Sequence, residues 1–240
     1  KILKIKRRSK FLIFQFEKNI CMMVHLGMTG KFFFVDSKNI RYKTSFYYEI
    51  DEKNQKHNHI VFFFYNKKKL IYNDVRKFGF IKFFKKEEYY ENFHIKKLGP
   101  EPLKKDFNFN YLKKYISGRN RTIKDVLMDQ KCISGLGNIY VNEILFLSGI
   151  KPLRHVTKLT NLEIKNIIKN TKKILQNAIK LGGSSIKDFS SGDGKKGVFQ
   201  QVFKVYGKLG EKCSNIDCNE TVLKIIISNR ASFFCKCCQK

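Results

Sequence analysis

Residues 97–107 read KLGPEPLKKDF, and they divide the sequence into two stretches of different period. Two prolines and a glycine so close together interrupt any regular element, which places a hinge at 98–106. Before the hinge, short β-branched and aromatic runs follow one another: FLIFQF, CMMVHLG, KFFFVD, TSFYYEI, HIVFFFY, KLIYND and FGFIKFF. Gly, Asn or Lys-rich turns separate them, and so many short segments in so little chain predict a sandwich or barrel. The polar run DEKNQKHNH at 51–59 reads as a solvated loop. After the hinge, apolar residues recur at helical spacing: Phe109, Leu112, Tyr115 and Ile116, then Ile123, Val126 and Leu127, then Ile139, Ile144 and Leu145. The clearest helix starts at Thr160, where Thr160 and Glu163 form a capping box, and stops at Gly182. A Gly/Ser-rich loop, GGSSIKDFSSGDGKKG at 182–197, follows. The expected organisation is α+β and multidomain: a β-sandwich over 1–97, the hinge, a helical domain over 107–207, and a cysteine-bearing segment over 208–240.

At 240 residues the chain can bury a substantial core. The longest apolar run, IVFFFY at 60–65, is far too short to span a bilayer, and no secretory signal pattern is present. A protein that acts away from membranes, as a monomer in the cytoplasm, is expected. Forty-nine Lys and Arg against 20 Asp and Glu give a formal charge of +29, which points to a polyanionic partner, nucleic acid first. The excess of Lys, Asn, Ile and Phe is also what A/T-rich codons produce, so charge alone does not name a site.

Of seven cysteines, Cys21 and Cys132 stand alone in apolar surroundings and five crowd into the last 28 residues. That clustering favours a metal site in a reducing compartment. CSNIDC, a sixteen-residue spacer and CKCC supply Cys213, Cys218, Cys235 and Cys238 as paired ligands at the two turns of a β-hairpin. Four thiolates suit one structural Zn²⁺ with no open coordination position. Cys237 can in principle replace Cys238, although the two-residue gap makes the better chelate turn. Arg230 falls near the tip of this hairpin, where a guanidinium can reach a phosphate.

RRSK at 7–10, HLGMTG at 25–30, DVRKFG at 74–79, LGPEPL at 98–103, LMDQKCISGLGNIYVNEILFLSGIKP at 127–152 and the terminal cysteine hairpin together resemble the bacterial formamidopyrimidine-DNA glycosylases. The resemblance implies a helix-two-turn-helix in the helical domain and a zinc finger over 208–240. It also implies excision of oxidised purines, such as 8-oxoguanine and formamidopyrimidines, from double-stranded DNA, followed by β,δ-elimination at the abasic site. By motif position Met28, Arg76 and Phe78 match the trio that fills the void left by an extruded base. Asn138 matches a phosphate contact, with a plain helix N-cap as its other reading. Arg119 and His57 match DNA-contacting positions, Lys10 the proton donor in β-elimination and Arg230 the arginine of the δ step. The loop at 190–197 matches the segment that caps the flipped base.

Two departures qualify that resemblance. The CSNIDC gap is longer than the two residues usual in the family, so a looser first knuckle is expected. The family nucleophile is an N-terminal Pro followed by Glu, whereas this chain opens KILKIKRRSKFLIFQF, inside a strand pattern. The expectation is therefore a sandwich truncated by about fifty residues, with an unpaired edge, reduced stability and no excision by the chain as written. The competing readings are a DNA-binding protein that keeps the clamp without the chemistry, and a zinc-ribbon RNA-associated protein.

Overall fold

The computed structural model describes residues 1–36, 41–43, 52–184 and 198–240. They form two compact units: Lys1–Ile95 with Lys180–Gln201, and Lys96–Ile179 with Val202–Lys240.

The first unit is built on eight strands: β1 (Ile2–Arg8), β2 (Phe11–Phe16), β3 (Ile20–His25), β4 (Lys31–Val35), β5 (Arg41–Lys43), β6 (Asn58–Phe63), β7 (Lys69–Asn73) and β8 (Phe80–Lys85). They make two four-stranded antiparallel sheets, ordered β1-β2-β3-β8 and β5-β4-β7-β6. The opening stretch is a strand, as its alternation predicts, whereas TSFYYEI lies outside the described residues. DEKNQKHNH, expected as open loop, carries a 3-10 turn over Glu52–His57, and β6 begins inside it at Asn58. Phe14, Met22 and Val24 from one sheet meet Phe32, Leu70 and Tyr72 from the other, burying one face of each. The Phe32 ring stands edge-on to Phe14 at 6.0 Å and tilted against Tyr72 at 5.5 Å, spacings at which aromatic quadrupoles attract. The chain changes sheet twice, at 26–30 between β3 and β4 and at 74–79 between β7 and β8.

The second unit holds the helices α2 (Phe109–Ile116), α3 (Ile123–Met128) and α4 (Asn138–Leu147), with α5 (Asn161–Lys180) running through it to its last residue; a short α1 (Phe93–Lys96) precedes them. Asn108 and Thr122 cap α2 and α3 by accepting from the N–H groups of Tyr111 and Asp125. The capping box of α5 is present: Thr160 N–H donates to Glu163 Oε2 at 2.7 Å and Glu163 N–H to Thr160 Oγ1 at 3.2 Å. A hairpin of β9 (Val222–Ile227) and β10 (Arg230–Cys235) closes the chain. Its two-residue turn, Ser228–Asn229, has φ of 46° and 58°, the left-handed geometry that matches strand twist and that Asn tolerates well.

Met22 is 1% exposed between the sheets, while Ile5 on β1 is 55% exposed. Met22→Ala should lower unfolding free energy by about 2–5 kcal/mol, and Ile5→Ala by about 0.5 kcal/mol or less, read by urea denaturation.

Candidate DNA interface and metal centre

The two sheet-changing loops bring Met28, Arg76 and Phe78 together. Arg76 Nη1 donates to Met28 Sδ at 3.2 Å, and its guanidinium lies 4.6 Å from the centre of the Phe78 ring. Met28 and Phe78 are 61% and 58% exposed, so neither belongs to the sandwich core. Two apolar tips and a guanidinium thus project as one group. His57 lies alongside: its carbonyl accepts the Asp74 N–H at 3.1 Å, and His59 Nε2 bonds the Asp74 carbonyl at 2.8 Å.

Lys10 occupies the two-residue turn between β1 and β2, where Ser9 has φ of 54°. Beside it, His25 stacks on Phe80 with centroids 5.7 Å apart, and Phe11 and His94 complete an aromatic cluster. Burial first, then the Lys10 ammonium and repulsion from His94, holds the His25 imidazole below its usual pKa, which favours its neutral form. Sequence reasoning missed His25, because its place in HLGMTG reads as strand.

In the second unit, Arg119 is exposed and folds back on the preceding helix, α2: Nε donates to the Tyr115 carbonyl and the guanidinium lies 4.3 Å from that ring centre. Asn138 is the first residue of α4, and the cap position belongs to Gly137. The N-cap reading of Asn138 is thereby corrected: its amide is turned across to the hairpin, where Nδ2 donates to the Ala231 carbonyl at 2.9 Å. One turn further, Asn142 Oδ1 accepts the Phe233 N–H at 2.7 Å. These bonds satisfy the outer backbone edge of β10 with side chains of α4.

A second clasp comes from α3. Lys124, 1% exposed, donates from Nζ to Ser232 Oγ at 2.6 Å and to the Ala231 carbonyl at 3.0 Å. Asp125 accepts from Ser228 in the turn and from Thr122. Arg230 therefore lies between a turn that Asp125 holds and a stretch of β10 that Lys124, Asn138 and Asn142 hold. Burial, reinforced by Arg230 and opposed by Asp125, lowers the Lys124 pKa to about 8. Lys124 was not legible in the sequence, where it is one basic residue among 49.

Cys213, Cys218, Cys235 and Cys238 bring their sulfurs within 4.8 Å of one another. Cys213 and Cys238 are 3.7 Å apart and Cys218 and Cys235 3.6 Å, close to the ~3.8 Å edge of a tetrahedron with 2.3 Å metal–sulfur bonds. Cys237 is exposed and outside the group, so the open choice falls to Cys238. The long CSNIDC gap closes through a turn in which Cys218 N–H donates to the Asn215 carbonyl, while Asn215 Nδ2 reaches Cys238 Sγ at 3.1 Å. The four thiols can hold a metal ion.

Two family models match: the formamidopyrimidine-DNA glycosylase N-terminal domain over residues 1–81 and the H2TH domain of the same family over 98–190. The formamidopyrimidine-DNA glycosylase of Rickettsia massiliae is 40% identical over 238 residues, covering 99% of this chain and 80% of that protein. This chain belongs to the formamidopyrimidine-DNA glycosylase family. A Rickettsia bellii member is 39% identical over 239 residues, covering all of this chain and 82% of that one. Among solved structures, a Lactococcus lactis FPG mutant in complex with Fapy-dG containing DNA superposes with a TM-score of 0.85 at 36% identity. The Lactococcus lactis Fpg with an abasic site containing DNA gives 0.84 at 36%, and both comparisons cover 100% of this chain and 82% of the other. The expected inactivity of this glycosylase-family chain receives no support from these matches, which run over nearly all of it. Among the described residues, no helix is long and apolar enough to cross a membrane.

The Lys124 ammonium fixes a sign for pH dependence. Below pH 8 it is charged in both folded and unfolded states and its burial opposes folding in full; between 8 and about 10.4 only the unfolded chain keeps the proton, so stability rises. Denaturation of the native chain and Lys124→Met across this window should show the difference moving in favour of the native chain by about 2–3 kcal/mol.

Proposed function

We propose that this family member recognises oxidised purines in double-stranded DNA, excises them and cleaves the resulting abasic strand by β,δ-elimination. The observation that carries the reading is the exposed Met28–Arg76–Phe78 group. An oxidised base inside a duplex must leave the stack before its glycosidic bond is accessible, at a cost of a few kcal/mol. Apolar wedges that enter the gap offset part of that cost, and a guanidinium can hydrogen-bond the widowed base. In this reading Met28 and Phe78 fill the gap and Arg76 faces the unpaired base.

Asn138, Arg230, His57 and Arg119 then hold phosphates, which fixes register without reading sequence. The same Arg230 serves the δ step, and Lys10 donates a proton during β-elimination. In its favoured neutral form, His25 beside Lys10 adds no competing charge there. The capping role given to 190–197 lies outside the described residues. The cysteine group holds Zn²⁺ as a structural ion: four protein thiolates leave no position for substrate, so the metal acts by fixing the hairpin that carries Arg230. The domain plan accompanying this reading is a sandwich over 1–97, a hinge over 98–106, a helix-two-turn-helix region over 107–207 and a zinc finger over 208–240.

The same exposed group also serves a second reading, a damaged-DNA-binding protein that keeps the clamp without the chemistry. Incubation with an 8-oxoguanine duplex and borohydride separates the two. A trapped covalent adduct and a nicked strand are expected for the enzyme; tight, lesion-preferring binding with neither product supports the binder. Binding that does not distinguish lesion from undamaged duplex would remove both readings.

For the cysteine group, intact-protein mass spectrometry under native conditions should find one zinc per chain. Cys235→Ser should lose it, together with most duplex affinity, since Cys235 anchors the strand that bears Arg230.

A further inference from the structure

Both crossings between the sheets converge on one buried carboxylate. Asp74 is 1% exposed. Its Oδ1 accepts the Thr29 hydroxyl, and its Oδ2 accepts the Gly79 N–H at 2.8 Å and the Tyr72 hydroxyl at 3.1 Å. Thr29 Oγ1 accepts in turn the Arg76 N–H at 3.0 Å. Thr29 follows Met28 in the chain, Gly79 follows Phe78 and Arg76 donates its own N–H, so each of the three projecting residues lies on this network or one step from it. The loops also touch backbone to backbone: a Cβ on Gly27, which has φ of 62°, would lie 2.7 Å from Gly79 N. On Gly79 it would lie 1.9 Å from the Tyr72 hydroxyl oxygen and 3.1 Å from Asp74 Oδ2, which leaves no room for water between carboxylate and loop.

Burial raises the Asp74 pKa, but the bonds from Thr29, Gly79, Tyr72 and Arg76 outweigh it and hold the group below the usual carboxylate range. A carboxylate is the group such a site demands, because every neighbour arrives as a donor. An asparagine offers one acceptor oxygen and turns an NH₂ toward those same donors.

We propose that Asp74 is the positioning residue of the void-filling group: its carboxylate fixes the two loops so that Met28, Arg76 and Phe78 enter the duplex as one preformed wedge. The inference rests on the reading of those three residues given above. Without Asp74 the side chains remain, but the loops must be ordered on contact with DNA. The loss therefore falls on lesion recognition and leaves phosphate binding in place.

The test compares this chain with Asp74→Asn, Thr29→Val, Met28→Ala and Arg76→Ala on two duplexes, one undamaged and one holding a tetrahydrofuran abasic analogue opposite 2-aminopurine. For Asp74→Asn and Thr29→Val, affinity for undamaged duplex should stay within about twofold, while preference for the abasic duplex falls roughly fivefold to tenfold, the scale of one buried hydrogen bond. The 2-aminopurine fluorescence change on binding should shrink in parallel, a readout that lower stability alone does not move in a folded protein. Full preference and full fluorescence change in folded Asp74→Asn and Thr29→Val would overturn the proposal. Should Asp74→Asn not fold, Thr29→Val decides alone, since it removes the bridge to Arg76 and spares the carboxylate. Unchanged preference in Met28→Ala and Arg76→Ala would instead overturn the wedge reading itself.

Discussion

Asp74 accepts hydrogen bonds from both loops that carry the chain between the sheets, and the geometry of the first unit's exposed tip depends on that. A sandwich whose core is Phe, Met, Leu and Val is held by non-directional burial, which aligns sheets without fixing the loops at their ends. The loops need directional bonds, and a buried carboxylate surrounded by donors supplies them. Tyr72 joins the two levels: its ring packs against Phe32 in the core while its hydroxyl bonds Asp74. Burial and the neighbouring carboxylate push that hydroxyl's pKa well up, so it stays a donor.

The second unit solves a related problem with different groups. A two-stranded hairpin is barely stable alone, so β9 and β10 need outside support. The four thiols gather at the end away from the turn, α4 satisfies the outer edge of β10 through Asn138 and Asn142, and α3 holds Ala231 and Ser232 through Lys124 and the turn's Ser228 through Asp125. A buried ammonium is a costly clasp, and its N–H donors offset part of that cost by meeting a carbonyl and a hydroxyl together. Glu143, next to Asn142 in the middle of α4, does similar work, taking the N–H groups of Lys204, Val205 and Tyr206 in a turn of chain without regular structure.

The charge of +29 contrasts with this local detail. Diffuse positive charge draws the protein to a polyanion over many ångströms but does not choose where contact occurs. In the proposed reading selection falls to a few side chains, and several of the residues that hold them are uncharged or acidic: Thr29, Asp74, Asn142 and Ser232. Such residues leave no trace in a charge count.

Read alone, the sequence determined the class of fold, the change of period near LGPEPL, the long helix with its Thr160–Glu163 box and the four cysteines able to hold a metal. Each of these rests on local periodicity or short spacing, which a chain carries along its length. It also placed Arg230 at a hairpin tip, because the spacer between the cysteine pairs can hardly close in another way. Tertiary structure alone decided that Asn138 reaches for β10 while Gly137 caps the helix and that Lys124 is buried, and it bore out the choice of Cys238 over Cys237 that spacing had made. It alone joined Thr29 to Asp74, forty-five residues apart. Hydrogen bonds between distant residues depend on how loops and sheets meet, and no pattern of neighbours along the chain encodes that meeting.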